Sequence, residues 1–201
     1  RRVLFRLLEW IVAQWQDGGD ARTQLTADEN AGISTILTGM GSLSYGETAG
    51  ERMRLGVMLN DPEEEHSCFA ANTHNDHFYN AVGIRNVYLG SYTGIDGTVV
   101  SGESLSSLVA AADPAVDAEM QAKLGAAVLE MLEMKVAAEA GFAYDSMLER
   151  GNAEGEALIM GAVNALVDQT RSIERAVAAL GAEQIAFEGS DSLDNPDAVF
   201  Q

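Results

Sequence analysis

The stretch Pro114–Ala140, PAVDAEMQAKLGAAVLEMLEMKVAAEA, decides the fold class. Val116, Met120, Leu124, Val128, Met131 and Lys135 recur three and four residues apart and fall on one stripe of a helix with a 3.6-residue period. The residues between them are mostly Ala, Leu, Glu and Met, all strong helix formers. Asp113 stands in front of Pro114. Its side chain can accept from the free N–H groups of a first helical turn, and proline leaves no N–H unpaired there. A second stripe, Leu158, Ala162, Leu166, Ile173, Val177 and Leu180, runs up to Gly181, a residue suited to a left-handed cap. Val3, Leu4, Leu7, Leu8, Ile11, Val12 and Trp15 form a third stripe at the start of the chain.

Outward from these three, Asp61-Pro62 and Asn195-Pro196 repeat the Asx-Pro pattern and predict two further helix starts. Ile33, Ile36, Leu37 and Met40, then Met53, Val57 and Leu59, predict two shorter helices parted at Gly39, Gly41 and Gly46. The expected helices are 1–16, 28–40, 46–60, 62–89 with a break allowed, 114–140 and 155–180. Strand signals are thin. Thr98-Val99-Val100 lies among Gly94, Gly97 and Gly102 and reads as loop, so at most two short strands are expected. Gly90–Ser107 is rich in turn formers and is a candidate binding loop, while 187–201 reads as an irregular tail. The architecture is all-α: one helical domain over 1–201, built as a helical bundle with one elaborate loop.

Composition sets the outer bounds. Of 201 residues 47% are hydrophobic, enough for a packed core and too many for a disordered chain. Twelve Lys and Arg against 31 Asp and Glu leave a net charge of −19, which repels phosphate backbones and anionic lipid heads. Nucleic acid is therefore not an expected partner, and membrane association would need an anchor outside these residues. A single cysteine, Cys68, rules out an internal disulfide and a four-cysteine zinc site. A chain that opens inside an amphipathic helix suggests part of something longer. The expected partner is a missing N-terminal half of the same protein, or a second copy. Trp10 and Trp15 are expected to pack within the first helix's apolar face, and Met120, Met131 and Met134 to fill the core.

Chemistry concentrates in one place. All three histidines and the cysteine fall within His66–His77, behind the acidic run Glu63-Glu64-Glu65. Imidazole, thiolate and carboxylate are the side chains that hold transition metals, so His66, His74, Asp76 and His77 are candidate metal ligands. His74 and His77, three apart, share one face of a helix. Three plainer explanations compete with this one. The acids also suit the positive end of a helix starting at Pro62, and Cys68 beside Phe69 suits a small buried hydrophobe. Ordinary hydrogen bonding or capping would equally account for the histidines. The Ala70-Ala71-Asn72 stretch offers a bend that would return His74 toward His66. Arg52, Arg54 and Arg85 are the cations nearest the cluster, able to pair the acids or receive an anion. No phosphate loop, Gly-x-Ser-x-Gly or His-Glu-x-x-His occurs.

Glu64-Glu65-His66-Ser67-Cys68-Phe69, Asn72-Thr73-His74-Asn75-Asp76 and Asn80 to Gly90 (NAVGIRNVYLG), with Ser101 to Val109 (SGESLSSLV) and Gln169 to Arg175 (QTRSIER), resemble the imelysin-like family. That family includes the iron-regulated protein A group and proteins classed as insulin-cleaving metallopeptidases. The resemblance implies two four-helix-bundle-like halves, export to the periplasm or outer membrane, and a link to iron acquisition. It also implies a Gly-x-His-x-x-Glu motif in the first half, and that motif is absent here. His66 is followed three residues on by Phe69, His74 by His77 and His77 by Asn80. The chain thus looks like the second half of the architecture. The carried-over signature covers His66, Ser67, Thr73, His74, Asp76, Asn80 and Asn86, with Glu65, Cys68 and Arg85 beside it as further ligand-contacting or supporting candidates.

The expected function is binding of a metal ion or an iron complex at the cell envelope without catalysis. Iron or zinc is the expected cofactor: Fe(III) favours carboxylates such as Glu65 and Asp76, while zinc or Fe(II) accepts His74 and His77. The alternatives are a metallopeptidase of the imelysin type, and a structural half-molecule that binds nothing without its first half.

Overall fold

The computed structural model describes residues 2–182 and 185–200. Its helices are α1 (Arg2–Trp15), α2 (Asp20–Leu25), α3 (Glu29–Ser42), a π-helix (Leu43–Arg54), α4 (Leu55–Leu59), α5 (Thr73–Leu89), α6 (Leu105–Ala112), α7 (Pro114–Glu139), α8 (Tyr144–Leu148), α9 (Ala153–Ala179) and α10 (Asp191–Asp194). Single 3-10 turns occur at Cys68–Ala70 and Pro196–Phe200. The fold is an all-α bundle. Its four staves are the continuous α3–π–α4 rod, α5, α7 and α9, each packed on the next, with α9 returning to the rod.

The two strongest stripes hold as read. Asp113 accepts from Ala115 N at 2.9 Å and Val116 N at 3.3 Å, and α7 runs from Pro114 with Met120, Leu124, Met131 and Met134 buried. α9 buries Ala162, Leu166, Ile173 and Val177 against it. The core has two pools. One gathers Met53, Met131, Tyr144, Ile159 and Leu166, the other Leu37, Tyr88, Met120, Leu124 and Ile173.

Four expectations fail for identifiable reasons. The break at Gly39–Gly46 does not exist, because Gly41 and Gly46 serve close approach instead of a turn. A Cβ at Gly41 would overlap the Phe187 ring, one at Gly46 the Glu188 carbonyl, and one at Gly50 Ser190. The C-terminal segment lies on that glycine face, held by Glu188 N donating to Ser42 Oγ at 3.0 Å and Tyr45 OH donating to Asp194 Oδ1 at 2.7 Å. Packing offsets the entropy that glycine costs a helix. Asp61-Pro62 starts a turn, with Asp61 Oδ1 accepting from Glu63 N at 2.9 Å, so Glu63–Glu65 face no helix dipole. Asn195-Pro196, by contrast, does start a helix, the short 3-10 helix Pro196–Phe200. Thr98–Val100 does not remain loop: β1 (Ser91–Thr93) pairs antiparallel with β2 (Val99–Ser101), Tyr92 opposite Val100. Trp10 and Trp15 do not pack. Trp10 is 60% exposed and Trp15 52%, since α1 rests mainly on α2.

Gly46→Ala is expected to cost about 1–3 kcal/mol, because the opposing atom is a backbone carbonyl that cannot rotate away. Gly39, with open space around its Cβ position, is the control. Gly39→Ala should gain about 0.5–1 kcal/mol by helix propensity. Thermal unfolding of the two variants checks the opposite signs.

Candidate functional site

The His66–His77 region is shaped by two left-handed residues. Asn60 (φ 52°) ends α4, and Ala71 (φ 45°) reverses the chain so that α5 starts at Thr73. The bend expected at Ala70-Ala71-Asn72 is therefore present. Two side chains fasten the loop over the helix: Ser67 N donates to Thr73 Oγ1 at 3.0 Å, and Ser67 Oγ donates to Asp76 Oδ2. Thr73 is fully buried, and His77, one turn further on, shares its inward face.

His77 is the anomaly of the interior. It is 0% exposed, and neither ring nitrogen has a hydrogen-bond partner. A neutral imidazole always carries one N–H, so one donor and one acceptor are left unanswered. The edge of Tyr144 meets it with ring centroids 5.2 Å apart, and the Tyr144 hydroxyl is buried and unpartnered too. On the other side the His66 ring lies 6.3 Å away. Burial pushes the His77 pKa down to about 3, with the positive potential of His66, Arg52 and His74 adding to it. Burial, with the nearby Glu65 charge, pushes the Tyr144 hydroxyl up.

His66 is exposed and stands between two depressions. One, about 550 Å³, is lined by His66, Asn72, Asn75, Asp76, Tyr79 and Asn80. The other, about 170 Å³, is lined by Glu51, Arg52, Glu63, Glu64, Glu65 and His66. The structure thus brings His66, Ser67, Thr73, Asp76, His77 and Asn80 together, with Glu65 across His66. His74 is half-buried and turns to Asn75, Nε2 to Nδ2 3.1 Å. Cys68 is half-buried in a 3-10 turn that leaves Phe69 fully exposed, so it is no buried hydrophobe. Arg85 is exposed on α5. Asn86 lines a separate cleft of about 1350 Å³ between α5 and the β-hairpin, with Arg22 and Tyr92. The candidate binding loop Gly90–Ser107 contributes to that cleft and not to the histidines.

Two neighbouring imidazoles, one with both nitrogens free of partners, stand near carboxylates, side chains of the types that transition metals take as ligands. The geometry is looser. Among the described residues no three His, Cys, Asp or Glu side chains are grouped to hold one ion. Sequence reasoning missed Tyr144 and Glu51. Tyr144 has no local signal, and Glu51 could be noticed as a charge set among Ala49, Gly50 and the glycines before them.

A four-stave helical bundle with a buried histidine under an acidic, imidazole-bearing surface is the class these features define. The family model for imelysin (peptidase M75) matches residues 2–173, and the chain belongs to the imelysin family. No curated protein matches the chain. Among the described residues, no helix is long and apolar enough to cross a membrane.

Proposed function

We propose that this chain binds a transition-metal ion or an iron complex at the His66–His77 site, without catalysis, as part of iron acquisition at the cell envelope. The observation that carries this reading is His77, buried with both ring nitrogens unanswered next to His66. Leaving such groups dry and unpaired costs on the order of 1–3 kcal/mol each, which a ligand would recover. A catalytic zinc takes three protein ligands and keeps one position open. Among the described residues no three His, Cys, Asp or Glu side chains are grouped to hold one ion, which supports capture of iron whose remaining positions are filled by its own chelate or by water. Periplasmic or outer-membrane residence belongs to the same reading and rests on family membership.

Calorimetric titration with Zn²⁺, Fe²⁺ and ferric citrate tests it. His66 is exposed and can be removed without disturbing the core. His66→Ala is expected to lower affinity about 10-fold or more, and His74→Ala less, since its nitrogen already faces Asn75. Absence of binding by the unaltered chain would overturn the proposal.

The exposed apolar side chains of α1 support the partner part of the reading, contact with an N-terminal half or with a second copy. Phe5, Trp10, Val12 and Trp15 are all more than half exposed, an apolar face of the kind that marks interaction sites. Light scattering at micromolar concentration should give a mass above the monomer, and Trp10→Lys should restore the monomer. A monodisperse monomer of the unaltered chain would count against it.

A further inference from the structure

We propose that the outward face of α7 is a pairing surface for a second copy of this chain, the two α7 helices lying antiparallel across a two-fold axis. The inference is independent of the metal reading and of α1. α7 is apolar on two opposite faces. Met120, Leu124, Ala127, Met131 and Met134 are buried in the bundle. On the far side Leu129, Leu132 and Val136 are 61%, 38% and 55% exposed, with Ala118 and Ala122 exposed before them and Gly125 between. A helix that is apolar all round is one covered on both sides. Ala118, Ala122, Gly125, Leu129, Leu132 and Val136 alternate spacings of four and three residues, the 3.5-residue period of a coiled-coil seam. None of the six is charged, on the outside of a chain whose net charge is −19. Gly125 has open space where its Cβ would stand, so nothing within the chain accounts for a glycine in mid-helix.

The order of sizes along the seam selects the occupant. Three small residues lead, three large ones follow, and the six positions are symmetric about Ala127. Antiparallel pairing about that point sets Ala118 against the partner's Val136, Ala122 against the partner's Leu132 and Gly125 against the partner's Leu129. Every layer then joins one small and one large side chain, which keeps the helix axes evenly spaced. Parallel pairing would leave a gap at one end and crowding at the other. Charge permits the approach. Between Ala118 and Val136 three acids, Glu119, Glu130 and Glu133, stand against Lys123 and Lys135, so the stretch carries only −1. The same register brings the partner's Glu133, exposed in the single chain, beside Glu119, whose carboxylate accepts from Arg175 Nε at 3.0 Å. One guanidinium has donors enough for both carboxylates. The seam is about 27 Å long, and a strip about 10 Å wide, covered on both copies, hides on the order of 600 Å². Stable complexes bury about 1,200 Å² or more, so this pairing is weak and reversible, with Kd above about 100 µM.

Sedimentation equilibrium of the Trp10→Lys chain, which lacks the α1 contact, reads this surface alone. Between about 10 µM and about 1 mM the chain should pass reversibly from monomer toward dimer, and further in high salt, which screens two acidic bodies from each other. Leu129→Glu should abolish the dimer. Gly125→Leu should abolish it too, with the melting temperature unchanged or raised, because the space beside Gly125 is open in the single chain. Adding Leu129→Ala to Gly125→Leu should restore the dimer, since the antiparallel layers remain and only the sizes are exchanged. A Trp10→Lys chain still monomeric at about 1 mM overturns the proposal, as does a dimer indifferent to Leu129→Glu. A double variant that stays monomeric overturns the antiparallel register. If the chain alone stays monomeric but captures a co-expressed N-terminal half in a Leu129-dependent way, the face belongs to that half and the second-copy assignment falls.

Discussion

Replacing Asp117 with Ala should lower the unfolding free energy by about 3–4 kcal/mol, among the largest single-residue losses outside the apolar core. Asp117 is 7% exposed on the first turns of α7 and is the acceptor at a three-helix junction. Tyr88 OH of α5 donates to Oδ1 at 2.8 Å, Ser106 Oγ of α6 donates to the same oxygen at 2.7 Å, and Gln121 Nε2 donates to Oδ2 at 2.8 Å. Tyr88 is fully buried. Alanine would strand its hydroxyl and the serine's in a dry place, each costing about 1–3 kcal/mol, and would leave a small void as well. Ser106→Ala removes one donor and leaves an acceptor still served by two others, so about 1 kcal/mol is expected. Urea unfolding checks both: the midpoint should fall far more for Asp117→Ala, with the slope unchanged. Equal midpoints would mean that the junction is held by packing alone. The consequence reaches the site, because α5 carries Asp76 and His77 at one end and Tyr88 at the other.

The long staves were legible because their evidence is local. α7 and α9 announce themselves by apolar period, a capping Asp or Asn and a terminal glycine, and each of these acts within one helical turn. What was not legible is decided by distant partners. Gly41, Gly46 and Gly50 carry the same local signature whether they break a helix or admit a neighbour, and the neighbour is more than a hundred residues away at Phe187–Ser190. Asp61-Pro62 and Asp113-Pro114 are alike as dipeptides, but Val116 and Met120 follow the second on an apolar stripe, while Glu63, Glu64 and Glu65 follow the first. No buried face pulls that segment into a helix. α6 begins at the end of the turn-rich Gly90–Ser107 stretch, where Ser104 and Ser107 form a reciprocal cap, and runs on past it to Ala112. In the candidate site, residue types at short spacing singled out one segment, and the small residues at Ala70-Ala71 pointed to its bend, which falls at the left-handed Ala71. Which histidine goes inside depends on the phase of α5 relative to Thr73 and on Tyr144 from a later helix, and neither is written in the spacing of His74 and His77.

Acid should unfold this protein through His77 before its carboxylates are titrated. The imidazole has a pKa of about 3 in the fold against an ordinary value of 6.5 in the open chain. Above pH 6.5 it is neutral in both states and makes no pH-dependent difference. Below 6.5 the unfolded chain takes up a proton that the folded one refuses, so stability falls as pH falls, by about 1.4 kcal/mol per pH unit. The loss is about 2 kcal/mol at pH 5 and continues down to pH 3, where the folded form would protonate as well. Asp168 and Glu139, whose carboxyls are lowered by Lys123 and Lys135, add losses of the same sign only at pH values below the ordinary carboxylate range. The interval from 6.5 to 5 therefore isolates the histidine. Urea midpoints across it should decline steeply for the unaltered chain and more gently, by one proton, for His77→Phe, which keeps the ring against Tyr144 and removes the titration. Parallel slopes would show that the imidazole is not held neutral. A cation that prefers neutral imidazole should, when added at pH 7, steepen the decline further, because protons then compete with the metal as well as with the fold.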